Sequence, residues 1–218
     1  MTTLAEENYL KAILKLSQNT KNLVSTNAIA HELNTKASSV TEMIKKLTDK
    51  KFLIYKKYKG VYLSEIGYKN AIDIIRKHRL WEYFLVYKMK FEWDEVHDIA
   101  EQLEHIKSQK LINSLDKYLG MPKFDPHGEP IPSQEGLFPK SISTPLSNYP
   151  LKSIGQVVGL CEDQSSFLNH LDHLSIAIGS TLRITRKIEF DKSIEIEINN
   201  QQVNISHEVA KNILIKDL

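Results

Sequence analysis

Ala37-Ser38-Ser39-Val40-Thr41-Glu42-Met43-Ile44-Lys45-Lys46-Leu47 decides how the first third of this 218-residue chain folds. Val40, Met43, Ile44 and Leu47 recur at helical spacing as one apolar stripe, which leaves the Ser, Thr and Lys side chains outside it. Upstream, Ser25 or Thr26 offers an N-cap to a short helix through Ile29, Ala30 and Leu33, and Asn34 with Thr35 makes a turn. Downstream, FLIYKKYKGVYL from Phe52 to Leu63 is two β-rich runs around Lys59 and Gly60, the pattern of a hairpin. Short helix, tight turn, second helix and hairpin predict a winged helix-turn-helix, whose second helix enters the major groove. Ser38, Ser39, Thr41 and Glu42 are then the candidates for base edges, and Lys36, Lys45, Lys46, Lys57 and Lys59 for phosphates. An amphipathic helix over Thr3 to Ser17, with Glu6 and Glu7 in its first turn, precedes this module.

Charge supports a nucleic-acid partner. The formal net charge is only +2, but from Lys21 to Gly60 nine Lys face three Asp or Glu. From Gly67 to Tyr118 the two signs balance at nine each, and from Leu151 to Leu218 seven cations face nine anions. A basic surplus confined to the winged module is the footprint of a phosphate-binding surface. The single Cys161 excludes an internal disulfide framework, and MTTLAEENYL lacks a signal-peptide pattern, so a cytoplasmic protein is expected. No apolar run approaches the roughly 20 residues that span a bilayer, so no membrane partner is expected.

After the wing, Ala71, Ile74, Ile75, Leu80, Trp81, Phe84 and Leu85 predict a long helix over Gly67 to Lys90, and Trp93 to Tyr118 a second. Two such apolar helices joined at Phe91 and Glu92 predict an antiparallel pair completed by the same surface of a second chain, hence a homodimer. At about 100° per residue, His97, Glu101, Glu104 and His105 share one face of the second helix beside the stripe Val96, Ile99, Ala100 and Leu103. All seven prolines and three of the eight glycines lie between Gly120 and Pro150, which predicts a linker. Strands are expected over Ile154 to Leu160, Thr181 to Ile188, Ser193 to Ile198 and Val203 to Ile205, with a short helix near Ser166 to Leu171 and a polar tail.

In this order of parts, ASSVTEMIKKL with LIYKKYKGVYL, RKHRLWEYFL and VHDIAEQLEHIKS resemble the recognition helix and wing, the dimerisation segment and the metal helix of one family. That family is the diphtheria-toxin-repressor and manganese-transport-regulator group of metal-dependent transcriptional regulators. The resemblance covers nearly the whole chain and implies a mainly α fold with small β parts. Its parts would be a winged helix-turn-helix domain over 1–66, a helical metal-binding and dimerisation domain over 67–120, a Pro-rich linker over 121–150 and an SH3-like, FeoA-like β-barrel over 151–218. The implied primary metal site is Asn8, His78, Glu101, Glu104 and His105. A carboxylate at Glu101, where iron-type members carry a thiol or its relatives, favours Mn²⁺ over Fe²⁺. Asn8 stands where manganese-type members usually have Asp, which leaves Glu7 or water as alternative donors; Lys11 replaces the Glu of the short members' two-metal cluster. FDPHGEPIP resembles the Cys-Pro-His-Gly segment of longer members and implies a secondary site of Glu82, Asp125, His127 and Asp163, or Glu162 one residue earlier, with His97 in a related ancillary site.

The resemblance implies a homodimeric repressor of metal homeostasis genes, with double-stranded operator DNA as partner and no organic cofactor. Two rival readings are a di-iron carboxylate enzyme on antiparallel helices and a winged-helix regulator gated by an organic ligand. The first needs ligands from four helices, whereas this chain spends both ends on other structure. The second leaves the His and carboxylate clusters without a purpose.

Overall fold

Glu6 and Glu7 open the first helix, α1 (Leu4–Asn19), which buries Tyr9, Leu10, Ala12, Ile13 and Leu14 along one side. The computed structural model describes residues 2–19, 23–57, 59–92, 95–139, 143–162 and 164–218. They form two compact units that interleave along the chain: Met1–His78, Gln102–Asn113 and Pro132–Leu137 in one, Arg79–Glu101, Ser114–Ile131 and Phe138–Leu218 in the other.

In the first unit, Ser25 caps α2 (Thr26–Glu32) by accepting the Ala28 N–H on its Oγ at 3.1 Å. Helix α3 (Ala37–Asp49) buries the predicted stripe of Val40, Ile44 and Leu47. Strands β1 (Leu53–Lys56) and β2 (Gly60–Leu63) pair antiparallel from Leu53↔Leu63 to Lys56↔Gly60, and Val24 extends the wing through paired backbone bonds of 2.8 and 2.9 Å to Val61. Gly60 makes this closure possible. Its φ is +122°, and a Cβ there would sit 2.4 Å from the Val24 carbonyl oxygen. Helix α4 (Glu65–Tyr87) follows and contributes residues to both units.

The expected second long helix is two: α5 (Val96–Leu103) and α6 (Gln109–Tyr118). The break has a local cause. The Ile106 N–H donates to Leu103 O at 3.1 Å as a tightening turn, and Ser108 then starts a new helix, its carbonyl accepting from Ile112 and its Oγ from Leu111. Trp93 and Asp94, the expected start, lie outside the described residues.

The second unit is built on a six-stranded antiparallel sheet ordered β3-β8-β4-β5-β6-β7. Its strands are β3 (Thr144–Pro145), β4 (Ile154–Leu160), β5 (Thr181–Lys187), β6 (Ile194–Ile198), β7 (Gln201–Ile205) and β8 (Ile213–Asp217). Helices α7 (Ser165–His173) and α8 (His207–Lys211) accompany it, and Leu160, Leu168, Leu171, Ile184, Ile196 and Ile215 are among the buried residues of one core. The sheet corrects the expected polar tail: β8 sits between β3 and β4, with Ile213 and Ile215 buried and Lys216 and Asp217 exposed. A five-residue run at the end of a chain carries too little periodicity to announce itself. No helix among the described residues is long and apolar enough to cross a membrane.

Part of the expected Pro-rich linker is tightly folded. The Asp125 N–H donates to Glu129 O at 3.0 Å, and the Ile131 N–H to Lys123 O at 2.8 Å, closing a loop in which Asp125, Pro126, His127 and Gly128 are buried. The Leu160 N–H donates to His127 O at 2.8 Å and ties the loop to β4. Gly128 is required there, because a Cβ would meet the Val158 carbonyl oxygen at 2.1 Å and φ is +81°.

Candidate metal centre and nucleic-acid interface

Three segments of the first unit bring ionisable side chains together. Glu7 and Lys11 are four residues apart on α1, His78 lies on α4, and Glu104 and His105 occupy the turn that ends α5. Glu7 Oε2 is 2.6 Å from His105 Nδ1. Glu104, only 1% exposed, places Oε2 at 2.7 Å from His78 Nδ1 and 2.8 Å from Lys11 Nζ, which is itself 3.3 Å from His78 Nδ1. Burial pushes the Glu104 carboxyl up, but the His78 hydrogen bond and the Lys11 and His78 charges outweigh it and hold Glu104 below its ordinary value. Beside this cluster, Glu6 faces α3. Lys50 Nζ lies at 2.7 Å and Lys46 Nζ at 3.0 Å from Glu6 Oε1. Burial raises the Glu6 carboxyl, and bonds from Lys50, the Thr3 amide and Lys46 reverse this, leaving its pKa at about 2.

The second unit holds a different group. Glu82 on α4 and Asp125 and His127 in the folded loop are all buried, and one ligand atom from each lies within 4.8 Å of the others. The backbone shapes the loop around Asp125, whose Oδ1 accepts the N–H groups of His127 and Glu129, each at 2.9 Å. Its Oδ2 is buried without a hydrogen-bond partner, 3.5 Å from Arg79 Nε. Arg79 is engaged elsewhere, at 3.0 and 2.5 Å from Glu129 Oε2 and 2.6 Å from Pro130 O. Burial, then the charges of Glu82 and Glu129, drive the Asp125 carboxyl far above its ordinary value against the pull of Arg79 and His127. Two abutting buried carboxylates, one imidazole and an orphaned oxygen fit a divalent cation, and hard oxygen donors suit Mn²⁺ or Fe²⁺. His97 Nδ1 is 3.5 Å from Glu82 Oε1, at the margin of this group.

Along α3, Lys36, Ser38, Ser39, Thr41, Glu42, Lys45 and Lys46 are exposed, as are Lys57 and Lys59 in the wing. The Lys46 ammonium pairs with Glu6 at 3.0 Å and joins α3 to α1. Thr41 Oγ1 donates back to Ala37 O at 2.9 Å.

The implied primary set therefore divides. His78, Glu104 and His105 meet, but Asn8 is exposed and Glu7, one residue earlier, takes the inward position. Glu101 is 51% exposed and lies 3.6 Å from His97 Nε2 on its own helix, because Leu103 ends α5 and turns Glu104 and His105 off the shared face. Of the secondary set, Glu82, Asp125 and His127 converge, and Asp163 lies outside the described residues. Glu162 Oε1 accepts the Gln164 N–H at 3.3 Å. The resemblance marked Lys11 as standing where short members carry a Glu of their metal cluster, and the structure places its ammonium there beside Glu104 and His78. Arg79 was not singled out from the sequence, and its one available signal was its place next to His78.

Comparison with known proteins gives a consistent result along the chain. The iron dependent repressor N-terminal DNA binding domain matches residues 1–61, the iron dependent repressor metal binding and dimerisation domain matches 64–133, and the FeoA domain matches 144–217. The HTH-type transcriptional regulator MntR of Bacillus pumilus is 34% identical over 117 residues, which are 54% of this chain and 78% of that protein. A probable metal transport system membrane protein of Chlamydia trachomatis is 39% identical over 72 residues, 33% of this chain but only 16% of that protein's length. Among solved structures, a manganese-dependent transcriptional repressor in complex with manganese is 31% identical and superposes with a TM-score of 0.86 over 98% of this chain and 100% of that one.

Proposed function

The chain belongs to the diphtheria-toxin-repressor and manganese-transport-regulator family of metal-dependent transcriptional regulators, and from that premise we propose a homodimeric repressor of metal homeostasis genes, activated by Mn²⁺ in preference to Fe²⁺. It is a DNA-binding regulator and not an enzyme. It works in the cytoplasm without an organic cofactor. The observation that carries the reading is the buried convergence of Glu82, Asp125 and His127 in a chain that also exposes a polar, lysine-flanked recognition helix.

When bound, the ion supplies positive charge among carboxylates that burial otherwise disfavours in their ionised form. Glu82 and Asp125 offer oxygens, His127 a ring nitrogen, and Asp163 is the further donor expected from the last domain. The two amides on Asp125 Oδ1 orient its Oδ2 for this role, as an outer hydrogen bond orients a ligand elsewhere. On the DNA side, Ser38, Ser39, Thr41 and Glu42 read base edges, and Lys36, Lys45, Lys57 and Lys59 meet phosphates. Two recognition helices in the dimer meet half-sites about 34–36 Å apart or a multiple of it. Metal favours the dimer arrangement that fits this spacing, and tenfold in operator affinity requires about 1.4 kcal/mol of coupling.

The test is a titration of Mn²⁺, anaerobic Fe²⁺ and Zn²⁺ into chelator-stripped protein, with binding to labelled DNA from upstream of its own gene followed by anisotropy. Mn²⁺ should tighten binding at least tenfold, and Asp125→Ala with His127→Ala should abolish the effect. Metal-independent binding would overturn the reading.

A further inference from the structure

Glu6 is fully buried, and its carboxylate serves two helices at once. Within α1 it closes a capping box: the Glu6 N–H donates to Thr3 Oγ1 at 3.3 Å, and Glu6 Oε2 accepts the Thr3 N–H at 3.0 Å. Outside α1 it takes two ammoniums at the far end of α3. Lys46 Nζ lies 3.0 Å from Oε1, and Lys50 Nζ lies 2.7 Å from Oε1 and 3.0 Å from Oε2. An anion in the first turn of α1 and cations at the end of α3 are each favoured by their own helix dipole, so the contact suits both helices. The α1 turn is itself anchored. Thr2 Oγ1 donates to Glu7 Oε1 at 2.6 Å, Glu7 Oε2 is 2.6 Å from His105 Nδ1, and Lys107 Nζ donates to Thr2 O at 3.2 Å.

Whatever holds α3 decides what its N-terminal residues can reach. Its buried stripe of Val40, Ile44 and Leu47 is one line of apolar contact, and hydrophobic attraction is non-directional. At about 100° per residue, Lys46 and Lys50 stand about 100° round from that stripe, so their bonds to Glu6 resist a roll that the stripe tolerates. Lys46 is seven residues beyond Ser39, about 10 Å along the axis, and Lys50 lies farther still. A tilt of about 5° over that lever moves the reading end by about 1 Å, twice the window of about 0.5 Å that a hydrogen bond allows. We propose that Glu6 is a positioning residue for DNA recognition: by holding Lys46 and Lys50 it fixes the roll and tilt of α3 against α1, and so sets how sharply operator is told from other DNA. The two lysines are then braces and not phosphate ligands. This rests on the reading of α3 as the recognition helix.

The experiment measures Mn²⁺-loaded, full-length protein by anisotropy against labelled DNA from upstream of its own gene and against a scrambled duplex of equal length. It runs from 50 to 200 mM salt, below the melting temperature of every variant. Glu6→Gln should lower the ratio of the two affinities about tenfold, while the slope of log affinity against log salt keeps its wild-type value. Lys50→Gln, which alters no residue assigned to DNA, should lower the ratio in the same direction, and Lys46→Arg with Lys50→Arg should retain it. A purely stabilising contact would move the melting temperature and leave the ratio alone, so a folded Glu6→Gln with the wild-type ratio would overturn the proposal. A steeper salt slope in Glu6→Gln would also overturn it, because Glu6 would then be withholding the two lysines from phosphates. Should Glu6→Gln not fold, the ratio for Lys50→Gln decides the matter. A wild type with no preference for the upstream DNA would instead remove the reading of α3 as the recognition helix, and this inference with it.

Discussion

His105 Nδ1 lies 2.6 Å from Glu7 Oε2, whereas the neighbouring Asn8 is exposed. The α1 side chain that reaches the turn after α5 is therefore the carboxylate and not the amide. A hydrogen bond to a charged, buried group contributes about 1.5–3 kcal/mol. Glu7→Gln should lower unfolding free energy by that order in urea titrations, and Asn8→Ala should stay within about 0.5 kcal/mol of wild type. Mn²⁺ binding should survive Asn8→Ala. Equal losses for the two variants would contradict the assignment.

Glu6 works in another direction, toward Lys46 and Lys50 of the recognition helix and the residue after it. Its folded pKa of about 2 lies below the ordinary 4.5, so its stabilising contribution is present in full above 4.5 and is lost as pH falls through about 2. Glu6→Gln should weaken stability at pH 7 by about 1.5–3 kcal/mol, and the gap to wild type should close in acid. A gap that is constant from pH 7 to pH 2 would show that the charge is not responsible.

Asp125 has the opposite sign. Its folded pKa is raised, so ionising it costs stability above the unfolded value of 3.8, and the metal-free protein gains stability as pH falls from the folded pKa toward that value. Mn²⁺ must displace the proton, so its affinity should weaken with falling pH, and calorimetry in buffers of different ionisation enthalpy should register proton release near neutrality. Asp125→Asn should stabilise the chelator-treated protein by on the order of 1 kcal/mol while removing the melting-temperature increase that Mn²⁺ produces. Unchanged metal stabilisation in this variant would exclude Asp125 as a ligand.

Lys45 and Lys46 adjoin on α3 but should behave differently toward DNA and heat. Lys45→Ala should reduce the slope of log affinity against log salt by about 1, the loss of one phosphate contact, with stability unchanged. Lys46 pairs with Glu6, so Lys46→Ala should also lower the melting temperature. Measuring both slopes by anisotropy between 50 and 200 mM salt separates the roles.

The sequence by itself determined the winged module, because every signal there is local. The stripe Val40, Ile44, Leu47, the Ser25 cap and the Gly60 turn depend on neighbours a few positions away, and all form as the spacing predicts. Strands β4 to β7 were legible for the same reason, and the three domain matches along the chain agree with that order of parts. Helix α5 shows where periodicity stops being informative. His97 and Glu101 keep their shared face, but a turn at Glu104 and His105 sends those two side chains to Lys11, His78 and Glu7. Only the tertiary structure decided which α1 residue points inward, that Lys11 stands among the ligand-type atoms, and that a proline-rich stretch folds to bury Asp125 and His127. Those outcomes depend on pairing between charges 67 to 98 residues apart and on burial that leaves Asp125 Oδ2 without a hydrogen bond. A one-dimensional pattern carries no term for either, since the cost of burying a charge depends on what else is buried beside it.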